Sequence, residues 1–160
     1  MVKEKNRRKV LFLCTGNSCR SQMAEGWTRK LLGDWIEAWS AGVAPTRVDP
    51  RAVAVMLEAG VDISSQYAKN VDAIRHIPFD LVITLCGHAR ETCPAFPGPT
   101  SQIHHPFDDP PRLAATAHSE TEAYTHYRRV RDEIRAFVLS LPAIMSAESR
   151  SGTDLENRRG

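Results

Sequence analysis

Apolar and polar positions along the chain change period several times, and each change marks an element. Val10–Leu13 is an unbroken apolar run, as expected of a short strand buried on both faces. From Ser21 to Leu32 the apolar residues Met23, Ala24, Trp27 and Leu31 fall at helical spacing, and Gly33 supplies a stop. Ile36–Ser40 reads as a second strand, closed by Ala41-Gly42. Asp49-Pro50 offers an N-cap and a first-turn proline to a helix through Val53, Met56 and Leu57 that ends at Gly60. A short helix over Val71–His76 leads to a third strand, Phe79–Leu85, and Ser101–His105 reads as a fourth. The last helix has the clearest signal. Ser119-x-x-Glu122 forms a capping box, and Tyr124, Tyr127, Val130, Ile134, Phe137, Val138 and Leu141 make an apolar stripe stopped by Pro142. Periodicity then disappears, so residues 1–142 are expected to form the domain and 143–160 a disordered tail.

Strands alternating with helices predict a single-domain, three-layer α/β/α fold, with a four-stranded parallel sheet flanked by helices on both faces. Sites in such folds lie beyond the carboxyl ends of the strands. In a chain of 160 residues, a net charge of +2 is too small to argue for nucleic acid. The basic start (Lys3, Lys5, Arg7, Arg8, Lys9) has no interleaved aromatics and reads as a solvated lead-in. No apolar run reaches the length of a membrane span, and no signal-peptide core follows the basic start. The expected setting is therefore the cytoplasm, where structural disulfides are uncommon, and four cysteines call for a reactive, metal-binding or packing explanation.

Cys14-Thr-Gly-Asn-Ser-Cys-Arg20-Ser21 joins the first strand to the first helix. If this loop curls, the backbone N–H groups of Thr15, Gly16, Asn17, Ser18, Cys19, Arg20 and Ser21 converge with the positive end of the helix dipole, cradling a tetrahedral oxyanion. The same field should lower the Cys14 pKa and poise a thiolate nucleophile, with Ser21 in reach of it and Arg20 forking two anion oxygens. Asn17 tolerates the left-handed backbone a tight loop demands. The Lys-Ser/Thr pair of a nucleotide P-loop is absent. Cys19 reads as packing beneath the loop.

Cys86 ends the third strand at the same sheet edge as Cys14, so the topology can bring both into one pocket. Cys93 follows in Cys86-Gly-His-Ala-Arg-Glu-Thr-Cys93-Pro94. If that stretch is helical its ends lie about 10 Å apart by rise alone, beyond disulfide reach, and bridging them requires it to loop out, with Gly87 and Pro94 as yielding points. A zinc site built from Cys86, His88 and Cys93 with His104 or His105 is the alternative, at a spacing unusual for zinc. Asp108-Asp109-Pro110 follows the fourth strand, and Asp109 is the favoured general acid over the neighbouring histidines.

The stretch from Cys14 to Trp27 resembles the active-site loop of the thioredoxin-coupled arsenate reductases, which share a fold with the low-molecular-weight protein tyrosine phosphatases. The resemblance continues through Ser40-Ala-Gly42, Asp62-Ile-Ser64, Thr84-Leu-Cys86 to Cys93-Pro94, Phe107-Asp-Asp-Pro110 and Arg129-Val-Arg-Asp-Glu-Ile134. Gln22 fits the reductases, whereas the phosphatases have proline there, lack the Cys86/Cys93 pair and carry tyrosines after the Asp-Pro, where this chain has Pro111-Arg112. The resemblance implies arsenate reduction by a monomer through a relay. Cys14 attacks arsenate held by Arg20 and the loop amides, Asp109 protonates the leaving oxygen, Cys86 displaces arsenite, and Cys93 resolves the disulfide for thioredoxin. Such a relay needs no cofactor and no metal. Some family members bind potassium near the loop through an acidic residue; here the comparable position is Lys69, which predicts no potassium dependence.

Overall fold

The computed structural model describes residues 6–148. Its sheet contains β1 (Arg8–Cys14), β2 (Ile36–Gly42), β3 (Leu81–Thr84) and β4 (Ser101–His104), all parallel, in the order β2-β1-β3-β4. β1 lies inside the sheet, and its apolar run serves two cores at once. Val10 and Phe12 face one cluster and Leu11 and Leu13 the other, each completely buried. The order reverses at β1: the chain leaves it for β2 on one side and returns to β3 on the other. This places a crevice beyond the carboxyl ends of β1 and β3.

The first face is covered by α1 (Arg20–Leu32), α2 (Pro50–Glu58) and α5 (Glu120–Leu139), whose stripe from Tyr127 to Val138 packs on Met23, Trp27 and Met56. The other face carries a single 3-10 turn, Val71–Ala73, and the short α3 (Gly87–Glu91). α4 (Pro110–Ala114) follows β4 and packs on α5. The predicted caps form: Asp49 accepts the Arg51 N–H at 2.8 Å, and Ser119 accepts the Glu122 N–H at 3.1 Å, contacts that contribute about 1 kcal/mol each.

Three expectations change. Leu57, expected on the buried face of α2, is 60% exposed, because that helix turns only Ala52, Val55 and Met56 inward. The helix expected over Val71–His76 is reduced to a single turn. The tail does not begin at residue 143. Pro142 breaks α5 but stands in the first turn of another helix, α6 (141–148), where the lost N–H costs nothing. Leu141 there is buried, and Ile144 and Met145 pack on the core, so the folded domain includes this helix. The remainder of the expected tail, 149–160, and Lys3 and Lys5 of the basic start lie outside the described residues.

Candidate active site

β1 delivers Cys14 to the crevice and α1 begins at Arg20, so the intervening residues must turn within a few ångströms. Asn17 takes up the turn with φ 50°, and its buried side chain pins it: Nδ2 donates to Ser21 Oγ at 2.8 Å, and Oδ1 accepts the Lys69 N–H at 3.0 Å. The Ser21 hydroxyl oxygen, as that acceptor, braces the loop.

Carbonyl orientation makes the loop a cradle. Val43, Ala44, Thr46 and Asp49 donate their N–H groups to the carbonyls of Cys14 (3.2 Å), Thr15 (2.8 Å), Gly16 (3.0 Å) and Ser18 (2.9 Å). Gln22 Nε2 takes the Asn17 carbonyl at 2.9 Å, and the Met23 N–H takes that of Cys19 at 2.9 Å. With every carbonyl drawn outward, the amides of Gly16 to Arg20 have no acceptor among the described residues and are left for an anion. The α1 N-terminus adds its dipole there, and Cys19 caps that helix without a side-chain bond. Cys19 itself is buried in the first core cluster, and burial pushes its thiol well up.

Arg20 donates to the Phe107 carbonyl at 2.9 Å and lies 3.7 Å from the Asp109 carboxylate, which brings Asp109 to the rim of the loop. Asp108 points elsewhere, paired with Arg129 at 3.0 Å. Cys86 ends the β3 side of the crevice with its sulfur 3.8 Å from that of Cys14 and 3.2 Å from the Thr15 hydroxyl, and it accepts the Ala89 N–H of α3 at 3.4 Å.

This pairing redistributes charge. Cys14 was expected to be the depressed thiol, but its hydrogen bond to Cys86, and then its burial, push it up; Arg20 and the Thr15 amide only partly offset them. Cys86 is pulled down to about 4, first by the Cys14 hydrogen bond and then by Thr15, Ala89 and Arg20 against partial burial. The reduced pair is thus coupled across one sulfur–sulfur hydrogen bond, with a proton held between the two thiols. Sequence reasoning treated the loop without its partner sulfur.

Cys93 is not brought to Cys86. Gly87–Glu91 is helical, and the Cys93 thiol faces the carbonyl of Pro94 at 3.6 Å, half-buried against the second cluster beside Phe96. Of the alternative zinc ligands, His104 Nδ1 is 2.8 Å from the Thr84 hydroxyl, and His105 stacks on Phe107 and Phe137 at 4.8 and 4.1 Å. Among the described residues no three His, Cys, Asp or Glu side chains are grouped to hold a metal. Behind the loop lies the ammonium of Lys69, the residue that the resemblance sets against an acidic one. It donates to the Ser40 carbonyl at 2.8 Å and the Tyr67 carbonyl at 3.3 Å, and lies 3.8 Å from buried Glu25. These residues do not fit a second cation.

Two participants had weak sequence signals. Gly42 reads as a strand end, yet a Cβ there would lie 2.6 Å from the Thr15 carbonyl and 2.9 Å from the Asn17 amide, so only glycine lets β2 approach the loop this closely. Gln22, noted in the sequence only as a residue that fits the reductases, stitches the loop to the carbonyl of Tyr67 at 3.0 Å.

A pinned anion cradle with a cysteine at its floor and a second sulfur beside it can be compared with known proteins. Residues 9–149 match the model of the low molecular weight phosphotyrosine protein phosphatase family. An arsenate reductase of Halalkalibacterium halodurans is 49% identical over 129 residues, 81% of this chain and 91% of its own. A solved arsenate reductase in the phosphate binding state has a TM-score of 0.66 at 34% identity, covering 86% of this chain and 98% of that one. A thioredoxin-dependent arsenate reductase of Corynebacterium glutamicum has a TM-score of 0.65 at 26% identity, over 89% of this chain and 63% of that one. The chain belongs to the low molecular weight phosphotyrosine protein phosphatase family and, within it, to the arsenate reductases.

Proposed function

We propose that this protein reduces arsenate to arsenite through Cys14, Cys86 and Cys93 in turn, with thioredoxin as the final reductant. The observation that carries the relay is the 3.8 Å separation of the Cys14 and Cys86 sulfurs at the floor of the cradle. Hydrogen arsenate binds with its oxygens on the amides of Thr15 to Ser21 and on the Arg20 guanidinium. The Cys14 sulfur attacks arsenic. One oxygen leaves as water, carrying the proton of the hydrogen arsenate and the one released by Cys14, with Asp109 as the relaying acid. The Cys86 thiolate then attacks the Cys14 sulfur. A sulfur–sulfur bond forms, the sulfur–arsenic bond breaks, its electron pair stays on arsenic, and arsenic(V) leaves as arsenic(III). Cys93 attacks the Cys86 sulfur and expels the Cys14 thiolate, leaving a Cys86–Cys93 disulfide for an external dithiol. Once the Cys14 proton has left with the water, the Thr15 hydroxyl, the Ala89 N–H and Arg20 remain beside Cys86 to favour its thiolate for the second step.

Both electrons come from thiols, so the relay calls for no flavin, nicotinamide or metal. All of its groups lie in one chain, which supports action as a monomer. Among the described residues no helix is long and apolar enough to cross a membrane, and we place the relay in the cytoplasm, where thioredoxin keeps dithiols reduced. The likeness to the thioredoxin-dependent arsenate reductase of Corynebacterium glutamicum supports thioredoxin here.

The test is disulfide mapping by mass spectrometry after one arsenate turnover without reductant. A Cys86–Cys93 linkage is expected; arsenite release with both thiols free would overturn the relay. The family match favours one second reading, a phosphatase acting through a phosphocysteine on Cys14. The Cys86→Ser variant separates the two, since phosphatase turnover survives that change and arsenate reduction does not.

A further inference from the structure

We propose that Asp49 and Tyr127 form a positioning pair that sets the far half of the oxyanion cradle, a role that rests on reading the Cys14–Arg20 loop as an anion site. The segment from Val43 to Asp49 holds four of the six loop carbonyls outward, which turns the loop amides inward. Three of those links, from Val43, Ala44 and Thr46, serve the near half. The Ser18 carbonyl is held by the Asp49 N–H at 2.9 Å, and Ser18 immediately precedes Cys19 and Arg20, whose amides form the far half.

Asp49 is fixed on each of its remaining sides. Oδ1 accepts the Arg51 N–H at 2.8 Å, its carbonyl accepts the Val53 N–H at 3.1 Å, and Oδ2 accepts the Tyr127 hydroxyl from α5 in a short hydrogen bond. Tyr127 is 1% exposed. Burial, and then Asp49, push its phenol up, so it remains a donor. Arg51 lies over the Tyr127 ring at 5.9 Å and is forked by Glu120 at 2.9 and 3.0 Å, closing the pair from solvent.

A carboxylate behind an anion site repels the anion, so charge cannot be what Asp49 contributes. Its contribution is geometric, because two oxygens can accept from the start of α2 and from α5 at once. Asparagine can keep both links, its oxygen taking the Arg51 N–H and its amide donating to the Tyr127 oxygen, while removing the repulsion.

The experiment measures inorganic phosphate binding by the reduced full-length protein, together with arsenate KM and kcat. Tyr127→Phe and Asp49→Ala should each weaken phosphate binding and raise arsenate KM about tenfold, with kcat changed less than about twofold. Asp49→Asn should bind at least as tightly as wild type. Val138→Ala, a core change further along α5, should lower the melting temperature without altering phosphate affinity. Unchanged phosphate affinity in Tyr127→Phe and Asp49→Ala, equal weakening in Val138→Ala, or Asp49→Asn binding as poorly as Asp49→Ala would overturn the pair alone. Wild-type protein that binds no phosphate would overturn the anion-site reading itself.

Discussion

Between Cys14 and Cys19 every backbone carbonyl has a donor, the Asn17 side chain is completely buried, and the neighbouring β2 comes so close that Gly42 has no room for a Cβ. Between Cys86 and Cys93 the chain forms a single short helix, mostly exposed, in which Gly87 meets nothing within 4 Å of an added Cβ. Both segments carry sulfurs at the same sheet edge, one set in a braced loop and the other on a lightly held arm. The difference follows from what each must do. A cradle stabilises developing charge only if its dipoles are already aimed, whereas a sulfur that must first reach Cys14 and then Cys93 cannot be held in one place. Local stability is divided accordingly, with the braced loop over the larger core and the arm over the smaller.

The largest effects should come from deleting a sulfur on either side. Cys14→Ser should lower arsenate turnover about a thousandfold or more and leave no covalent arsenic or phosphorus adduct. Cys86→Ser should abolish multiple turnover equally, yet still form the Cys14 adduct with arsenate, detectable by intact-protein mass spectrometry. If both variants behave alike in the adduct assay, the two segments do not have separate tasks.

Next in size is a break in the bracing. Gly42→Ala forces the Thr15 carbonyl or the Asn17 amide to shift, a packing conflict of about 1–3 kcal/mol. Phosphate affinity should fall about ten- to a hundredfold. Once the Cys14–Cys86 disulfide has formed, the rate at which Cys93 resolves it should be unchanged. A slowed resolving step would show that loop and arm move together.

How much of this contrast the sequence discloses depends on where its signal lies. β1 is legible because a strand buried on both faces reads as a continuous apolar run, and Cys14 follows directly. α5 is legible because its stripe and its Ser119 cap agree. The Asp108-Asp109 pair is legible as a candidate acid, but the reason to prefer Asp109 appears only in three dimensions, where Arg129 holds Asp108 and Arg20 lies beside Asp109. The outward carbonyls of the loop left no trace, since backbone N–H groups from Val43 to Asp49 make those bonds whatever side chains they carry. The coupling of the Cys14 and Cys86 thiols was hidden for a related reason: it depends on a 3.8 Å contact between residues far apart in the chain. The continuation beyond Pro142 was missed because a proline that ends one helix also suits the first turn of the next.

The charge difference between the two segments can be read without turnover. Cys86 sits at about 4, while burial raises Cys93 above the ordinary thiol value. A thiolate is the alkylating species, so lowering the pH spares whichever sulfur has the higher pKa. Iodoacetamide at about pH 6 should label Cys86, and Cys93 should follow only in more alkaline solution. Peptide mapping as the pH is raised checks the order, and earlier labelling of Cys93 would contradict it.

A smaller effect is expected from stiffening the arm. Gly87→Ala adds a Cβ in open space at a residue without positive φ, so α3 should become harder to unwind by about 0.4–1 kcal/mol. The Cys93 step should slow about two- to fivefold, with phosphate affinity unaffected. Stopped-flow with a thiol-disulfide readout resolves the two steps, and an unchanged Cys93 rate would mean that helix opening does not limit it.

The smallest expected effect tests whether the bracing is complete in itself. Lys69 brings its backbone N–H to Asn17 and its ammonium to Ser40, Tyr67 and Glu25, so the rear of the loop carries its own cation. Burial lowers the Lys69 pKa while Glu25 opposes the change, and the carbonyl oxygens around it favour the charged form. Wild-type arsenate turnover should therefore be the same in matched sodium and potassium salts. Lys69→Ala removes the ammonium but keeps the oxygen ligands, which should weaken phosphate binding a few-fold and create a response to potassium that sodium does not give. Potassium stimulation of the wild type would show that the ammonium leaves the site unfilled. A Lys69→Ala variant indifferent to both salts would show that the oxygens around Lys69 collapse once it is gone, so that the lysine braces the loop through its backbone alone.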